Sequence, residues 1–425
     1  MRDDWQSQFE NSALTPWSGR THQELAELFR ELLLAGHLID RSGMPHLIER
    51  FGRDGMRDVA INEWMAASPI YTKRMQLLLG FVGDTVETMF KGLQFDIGAP
   101  HEFLDFRCVV HDEAHGEFTL AHCGALMDVE PMGEDFVLAM CHQIEDPTFD
   151  ATAAATNPYA RVRPIHRPPR VPSDRNPHCH WSVTIDLERD PLPMPAVSVE
   201  LATSAIAQLA LAAPDRSLSV EDGFNDYSRA FDPDFIAEDL SSAALSAVLD
   251  EVCLQGHLLT RAYLLQVMER TTPEDARNVG IKQAMGIAGL AAKRFAAAFG
   301  AGDGLSRIAS VLAIHPLFLP RAYVGVAFDS TDNSLVIAVP ASPSRAEPDG
   351  LTWMSLMAEG GNAILESLVT CVDPQAQVAR LAPHGETVRW AITIDPNAGP
   401  ARQPDEVTLT EFSTGATFAF QTRLP

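Results

Sequence analysis

A repeat at a fixed offset constrains this chain more than any single motif. The segment ELLLAGHLIDRSGMPHLIERFGRDGMRDVAINEWMAASPIYTKRM, from Glu31, aligns without a gap on EVCLQGHLLTRAYLLQVMERTTPEDARNVGIKQAMGIAGLAAKRF, from Glu251. Identical pairs include Glu31/Glu251, Gly36/Gly256, His37/His257, Arg41/Arg261, Arg57/Arg277, Lys73/Lys293 and Arg74/Arg294. Later, FRCVVHD from Phe106 matches YVGVAFD from Tyr323, and HCHWSVTID matches TVRWAITID. Even DWQSQF (4–9) and DYSRAF (226–231) agree loosely. Self-similarity at a constant spacing is the mark of a duplicated structural unit. The expected organisation is a first unit over 1–195, a connecting segment over 196–240 and a second copy over 241–425.

Each copy begins with helical periodicity, as in HQELAELFRELLLAGHLI, where apolar residues recur at i, i+3, i+4 and i+7. Alternating segments follow. FLDFRCVVHD and GEFTLAHC read as an antiparallel hairpin, EDFVLAMCHQI as a helix, and ARVRPI and HCHWSVTIDL as the last strands. EVTLTEF and ATFAFQT read as a C-terminal strand pair. The predicted class is α+β, with helices packed on antiparallel sheet.

The chain has 425 residues, 46% hydrophobic and 21% charged, enough for real cores. Its formal net charge of -25 opposes binding to phosphate backbones or anionic lipid. The opening MRDDWQSQFENS carries no leader pattern, and no run approaches a bilayer span, so a cytoplasmic protein without nucleic-acid or membrane partners is expected. No dinucleotide turn, phosphate loop or nucleophile elbow is present, so no nucleotide cofactor is expected.

The duplication supplies an internal control. Features kept in both copies are read as structural, and features held by one as functional. His37 and His257 fall in the first group. The second group is concentrated between His101 and His180, where eight of the 14 His and four of the six Cys lie. At the aligned positions the second copy has Gly325 for Cys108, Phe328 for His111, Val339 for His122, Pro340 for Cys123, and Thr387, Val388 and Arg389 for His178, Cys179 and His180.

These residues suggest a reaction site. Imidazole and thiolate suit Zn or Fe, which makes a subset of Cys123, Cys141, His142, His178, Cys179 and His180 candidate metal ligands. The competing reading of the three Cys is buried apolar packing. Cys141 and Glu145 are i and i+4 and share a helix face, with His142 and Asp146 on the next. Cys141, His142, Glu145 and Asp146 are therefore the candidate catalytic groups. NPYARVRPIHRPPR adds Arg161, Arg163 and Arg170, and CGALMDVEPMGED adds Glu130. These are candidate substrate contacts, since guanidinium forks hold carboxylates bidentately. Internal ion pairing is the alternative for the Arg.

Between about Tyr71 and Asp186 the first unit resembles the L-2-amino-thiazoline-4-carboxylate hydrolase-like group and its vinyl-reductase-domain relatives. The likeness rests on Cys141 preceding Asp146 on a helix, and on a final strand opening Cys179-x-Trp181. It implies a small-molecule hydrolase or ligand-binding domain with a cysteine- or metal-dependent pocket. The leading expectation is an enzyme acting on a small carboxylate or heterocycle. The alternatives are a ligand sensor with a structural metal site, or an iron or thiol redox protein.

Overall fold

The computed structural model describes residues 16–216, 222–331 and 333–421. The first member of the DWQSQF match lies outside them. The repeat appears at once in the helices. In the first unit α1 (His22–Leu79) runs as one element, broken only at Gly52, whose φ of 70° interrupts the helical backbone. In the second, α8 (Ser242–Met268) and α9 (Pro273–Phe299) cover the same ground. His22 and Ser242 are 220 positions apart, and so are Leu79 and Phe299. The caps keep this offset. Thr21 accepts from Glu24 N, and Ser241 accepts from Ala244 N. The break at Gly52 corresponds to Thr272, which caps α9 by accepting from Asp275 N, with Pro273 in its first turn. One copy makes the bend with a left-handed glycine, the other with a cap and a proline.

Between α1 and the first sheet lie α2 (Val86–Leu93), then β1 (Leu104–Val110) and β2 (His115–Cys123). Next come α3 (Gly124–Val129), α4 (Glu134–Leu138), a π-helical turn over Ala139–Ile144, and α5 (Glu145–Thr156). β3 (Ala160–His166) and β4 (Cys179–Ile185) complete an antiparallel sheet of order β1-β2-β4-β3. Two short helices, α6 (Ala196–Leu201) and α7 (Ala205–Gln208), lie in the connection.

The second unit follows α9 with α10 (Gly304–Ile314), α11 (Arg321–Val324), β5 (Ala327–Ser330) and β6 (Leu335–Val339). It then has α12 (Trp353–Glu359), α13 (Ala363–Val372), β7 (Ala376–His384) and β8 (Thr387–Ile394), in the order β5-β6-β8-β7. β7 is a strand that the sequence patterns did not single out.

Strand register corrects part of the alignment. One line across the first sheet joins Cys108, Phe118, Trp181 and Pro164, and the matching line in the second joins Phe328, Ile337, Trp390 and Arg380. Cys108 therefore corresponds to Phe328 and not to Gly325, and Leu120 rather than His122 corresponds to Val339. Short alternating strands tolerate a slipped alignment because only the period of two is visible in sequence. The pairing of His178, Cys179 and His180 with Thr387, Val388 and Arg389 holds in this register.

The expected C-terminal strand pair is instead α14 (Asp405–Thr410) followed by a 3-10 turn over Thr414–Thr417. Pro404 precedes α14, and Asp405 and Glu406 occupy its first turn, where negative charge favours a helix start. This segment crosses to the first unit. Ser413 Oγ, Thr414 N and Thr414 Oγ1 all donate to Asp128, at 2.7, 2.7 and 2.8 Å. The connecting segment also packs on the first unit: Tyr227 N donates to Leu79 O at 2.7 Å, and the Tyr227 and Phe235 rings are buried beside Phe95.

The helices join the halves. Arg74 of the first unit holds Glu251 of the second through Nε and Nη2, at 2.9 and 2.6 Å. Arg294 of the second holds Glu31 of the first through the same atoms, both at 2.8 Å. Arg74/Arg294 and Glu31/Glu251 are equivalent pairs in the repeat, so each unit gives its Arg to the other's Glu. That reciprocity is the contact pattern of two copies related by a twofold axis. The four side chains are largely buried, and removing one partner leaves a desolvated charge. We predict that Glu31→Gln and Glu251→Gln each lower unfolding free energy by about 3–5 kcal/mol. Chemical denaturation would show it, and a loss confined to one of the two would break the symmetry argument.

Candidate functional site

A cavity of about 130 Å³ opens in the first unit between α1, α2, the inner face of the sheet and the α5 region. An apolar cavity of roughly 150 Å³ can hold benzene, so this one suits a single small ring. Aromatic side chains contribute much of the bulk of its walls, among them Trp64, Tyr71, Phe90, Phe118 and Phe149. Asp40, Asp96 and Glu145 bring carboxyls to the same space, with Arg41, His37 and Cys123 nearby.

Glu145 starts α5 immediately after the π turn. Such turns change the direction of side chains within a helix and occur often at functional sites. The residue keeps partial exposure, yet its Oε2 is fully enclosed without a hydrogen-bond partner. Burial pushes its carboxyl up to about 8, opposed by Arg167 and reinforced by Asp146. Asp96 is raised to about 6 by burial, against the stabilising hydrogen bonds from Tyr71 Oη and Gly98 N. Glu145 can therefore hold a proton near neutral pH, whereas Asp96 does so only in mildly acidic conditions.

Below the cavity, Arg41 is almost wholly buried and bonds Asp40 at 2.6 Å and Asp128 at 3.2 Å. Glu63 is buried beside Asp40, and its carboxyl is pushed well above the usual range by burial and by that neighbour. His37 is held neutral by burial and by Arg41.

The residues expected from sequence divide into three groups. Cys123, Cys141 and Cys179 are buried near one another and near Glu145, and Cys123 and Glu145 also line the cavity. Burial raises the Cys123 thiol to about 12 and also raises Cys141 and Cys179, with the Glu145 carboxyl adding to each. A nucleophilic thiol needs a lowered pKa, so this environment favours buried, protonated sulfur. The histidines diverge. His142 donates from Nε2 to Pro168 O at 2.7 Å, and His178 packs on His122 with ring centroids 6.1 Å apart. His180 points to the opposite face of the sheet from Cys179 and bonds Glu117 at 2.8 Å. Among the described residues, no group of three or more His, Cys, Asp or Glu is placed to hold a metal ion.

The third group is engaged internally. Arg161 donates to the backbone oxygens of Ala160 and Asp190 at 2.8 and 2.6 Å. Arg163 grips Asp150 at 2.8 and 2.9 Å, and Arg170 grips Glu130 at 3.0 and 2.8 Å. Asp146 pairs with Arg167, whose guanidinium also lies 5.7 Å from the Trp181 ring centroid.

Sequence reasoning missed Asp40, Trp64, Tyr71 and Asp96. The signal was available in the repeat, because the second copy has Thr260 for Asp40, Ala284 for Trp64 and Ala291 for Tyr71. There, Trp353 and Tyr323 close on His257, at 4.7 and 5.2 Å between ring centroids. No protein-family model, curated protein or solved structure matches this chain.

Two outcomes follow from the electrostatics. Native protein at pH 7.5 should resist alkylation at Cys123, Cys141 and Cys179, with all three labelling after denaturation. Rapid native modification of Cys141, read by peptide mass, would restore the nucleophile. Glu145 also imposes a pH dependence. Its folded value lies above the ordinary 4.5, so its stabilising contribution is complete below about 4.5 and lost as pH rises through about 8. Glu145→Gln should therefore gain melting temperature relative to wild type as pH is raised from 5 to 8. An unchanged difference across that range contradicts the assignment.

Proposed function

We propose that the first unit is a binding compartment for a small, largely apolar molecule with a polar end, and that the second unit is its scaffold. The observation that carries this reading is a cavity lined by aromatic rings and by Glu145, a carboxyl whose Oε2 is enclosed without a hydrogen-bond partner. Buried polar atoms normally find partners, and an unpartnered carboxyl in the wall of a cavity suits a ligand that supplies the missing group. Thr260, Ala284 and Ala291 of the second copy, in place of Asp40, Trp64 and Tyr71, support a division of labour between the copies. Among the described residues, no single helix is long and apolar enough to cross a membrane.

A second reading rests on the same carboxyl. A glutamate poised near neutral pH is suited to general acid–base work, and the hydrolase implied by the sequence resemblance would use Glu145 rather than Cys141. The two readings part at Glu145→Gln, which would abolish turnover while leaving the compartment intact.

The compartment is tested by ligand-observed NMR with single-ring fragments. We expect saturable binding to wild type that is lost in Ala153→Leu, because Ala153 lines the cavity and the larger side chain fills it. Binding that survives Ala153→Leu would place the ligand elsewhere.

A further inference from the structure

Building on the compartment reading, we infer that its ligand is a small organic ammonium ion, a ring-sized primary or secondary amine, held by Glu145 and the surrounding aromatic rings. The argument starts from what the cavity lacks. Three carboxyls face it, from Asp40, Asp96 and Glu145. The one guanidinium among its walls, Arg41, is already engaged by both Asp40 and Asp128. His37 sits beside that guanidinium, with Nε2 3.4 Å from Arg41 Nη2, and is held neutral. Asp96 takes its two protein donors, Tyr71 Oη and Gly98 N, on Oδ1. Glu145 Oε2 takes none. Three carboxyls against one guanidinium that is already engaged leave the cavity short of positive charge, and an ammonium group brings that charge together with two or three hydrogen-bond donors.

The walls point the same way. The rings of Trp64, Tyr71, Phe90, Phe118 and Phe149 line the cavity, and the faces of such rings attract cations. A carboxylate ligand, the class suggested by the Arg-rich stretch, would have to displace Asp150 from Arg163 or Glu130 from Arg170, and neither of those Arg lines this cavity. The volume limits the hydrocarbon part to about one ring.

Binding should be linked to a proton. In the free protein, the groups around Glu145 are Arg167, Asp146 and the thiols of Cys123, Cys141 and Cys179, with Asp40, Arg41, His37 and Asp96 across the cavity. Their balance leaves the carboxyl largely protonated at pH 7. An ammonium ion favours the carboxylate, so its arrival releases that proton to solvent. The amine itself stays protonated throughout this range, as a lysine side chain would. Affinity therefore rises with pH, by up to about tenfold per unit, until Glu145 is ionised near pH 8.

Cyclopentylamine, cyclopentanol and cyclopentanecarboxylate share one ring and differ in charge, which makes them suitable probes at millimolar concentration. The expected result is that the amine binds at least about tenfold more tightly than either analogue, a difference of roughly 1.4 kcal/mol. Calorimetry of wild type in two buffers of different ionisation enthalpy should show proton release at pH 7. Glu145→Gln should erase the preference for the amine. Because the proton-release measurement uses wild type, the inference stays testable if that variant fails to fold. Equal or tighter binding of the alcohol or the carboxylate overturns the amine assignment and leaves the compartment standing. So does silence from all three probes while other neutral fragments bind. If no fragment of any charge binds, the compartment falls and the inference with it.

Discussion

Two arginines hold this molecule together by exchanging partners. Arg74 reaches Glu251 and Arg294 reaches Glu31, each across the boundary between the copies. Had each unit kept its own pair, the long helices would lose their two buried ion pairs across the boundary and, among the described residues, keep only the exposed pair of Arg50 with Asp275. Because the pairs are swapped, neither unit satisfies its buried charges alone. The close packing between α1 and α8 follows from this. Gly43 admits the Tyr263 ring, where a methyl group would come within 2.6 Å of a ring atom, and Gly256 admits Ile39 at 3.0 Å. Two small residues on opposite helices let the backbones approach, and the charges fix which faces meet.

Once the helices are locked, their differences decide what each unit can do. Position by position, the first copy carries Asp40, Glu63, Trp64 and Tyr71 where the second carries Thr260, Gln283, Ala284 and Ala291. In the first unit the bulk and the charge sit on α1 and leave space beneath the sheet. In the second, Trp353 from α12 and Tyr323 from α11 pack on His257.

The sequence carried the architecture well where its signal was long. A gapless match over the helices survives any uncertainty at their ends, and the α+β class followed from it. It carried less where elements are short. The hairpin alignment slipped because Cys108 and Phe328 sit in strands of seven and four residues. EVTLTEF alternates like a strand but folds as α14, because its environment is a helix-lined groove and not a sheet edge. The site was partly legible. Cys123, Cys141, Cys179 and Glu145 do gather, whereas His142, His178 and His180 do not, since adjacent residues on a strand or helix face different ways. The Arg-rich stretch looked like an anion site because sequence does not show that Asp150, Asp146 and Glu130 lie within reach. The protonation of Glu145 was beyond any pattern, because it depends on burial.

The residues tied to Asp128 have a consequence for how the protein is made. Asp128 sits at the base of the first unit, yet Ser413 and Thr414, which supply three of its hydrogen bonds, stand 285 and 286 positions further along. During synthesis the first unit emerges complete in sequence but incomplete in bonding, with that carboxylate lacking those donors until the end of the second copy is free. Contacts separated by so much chain are slow to form, because the intervening loop must first be closed. The ribosome therefore releases the two halves in order, but the fold cannot be finished in that order. The first unit is the last to be sealed.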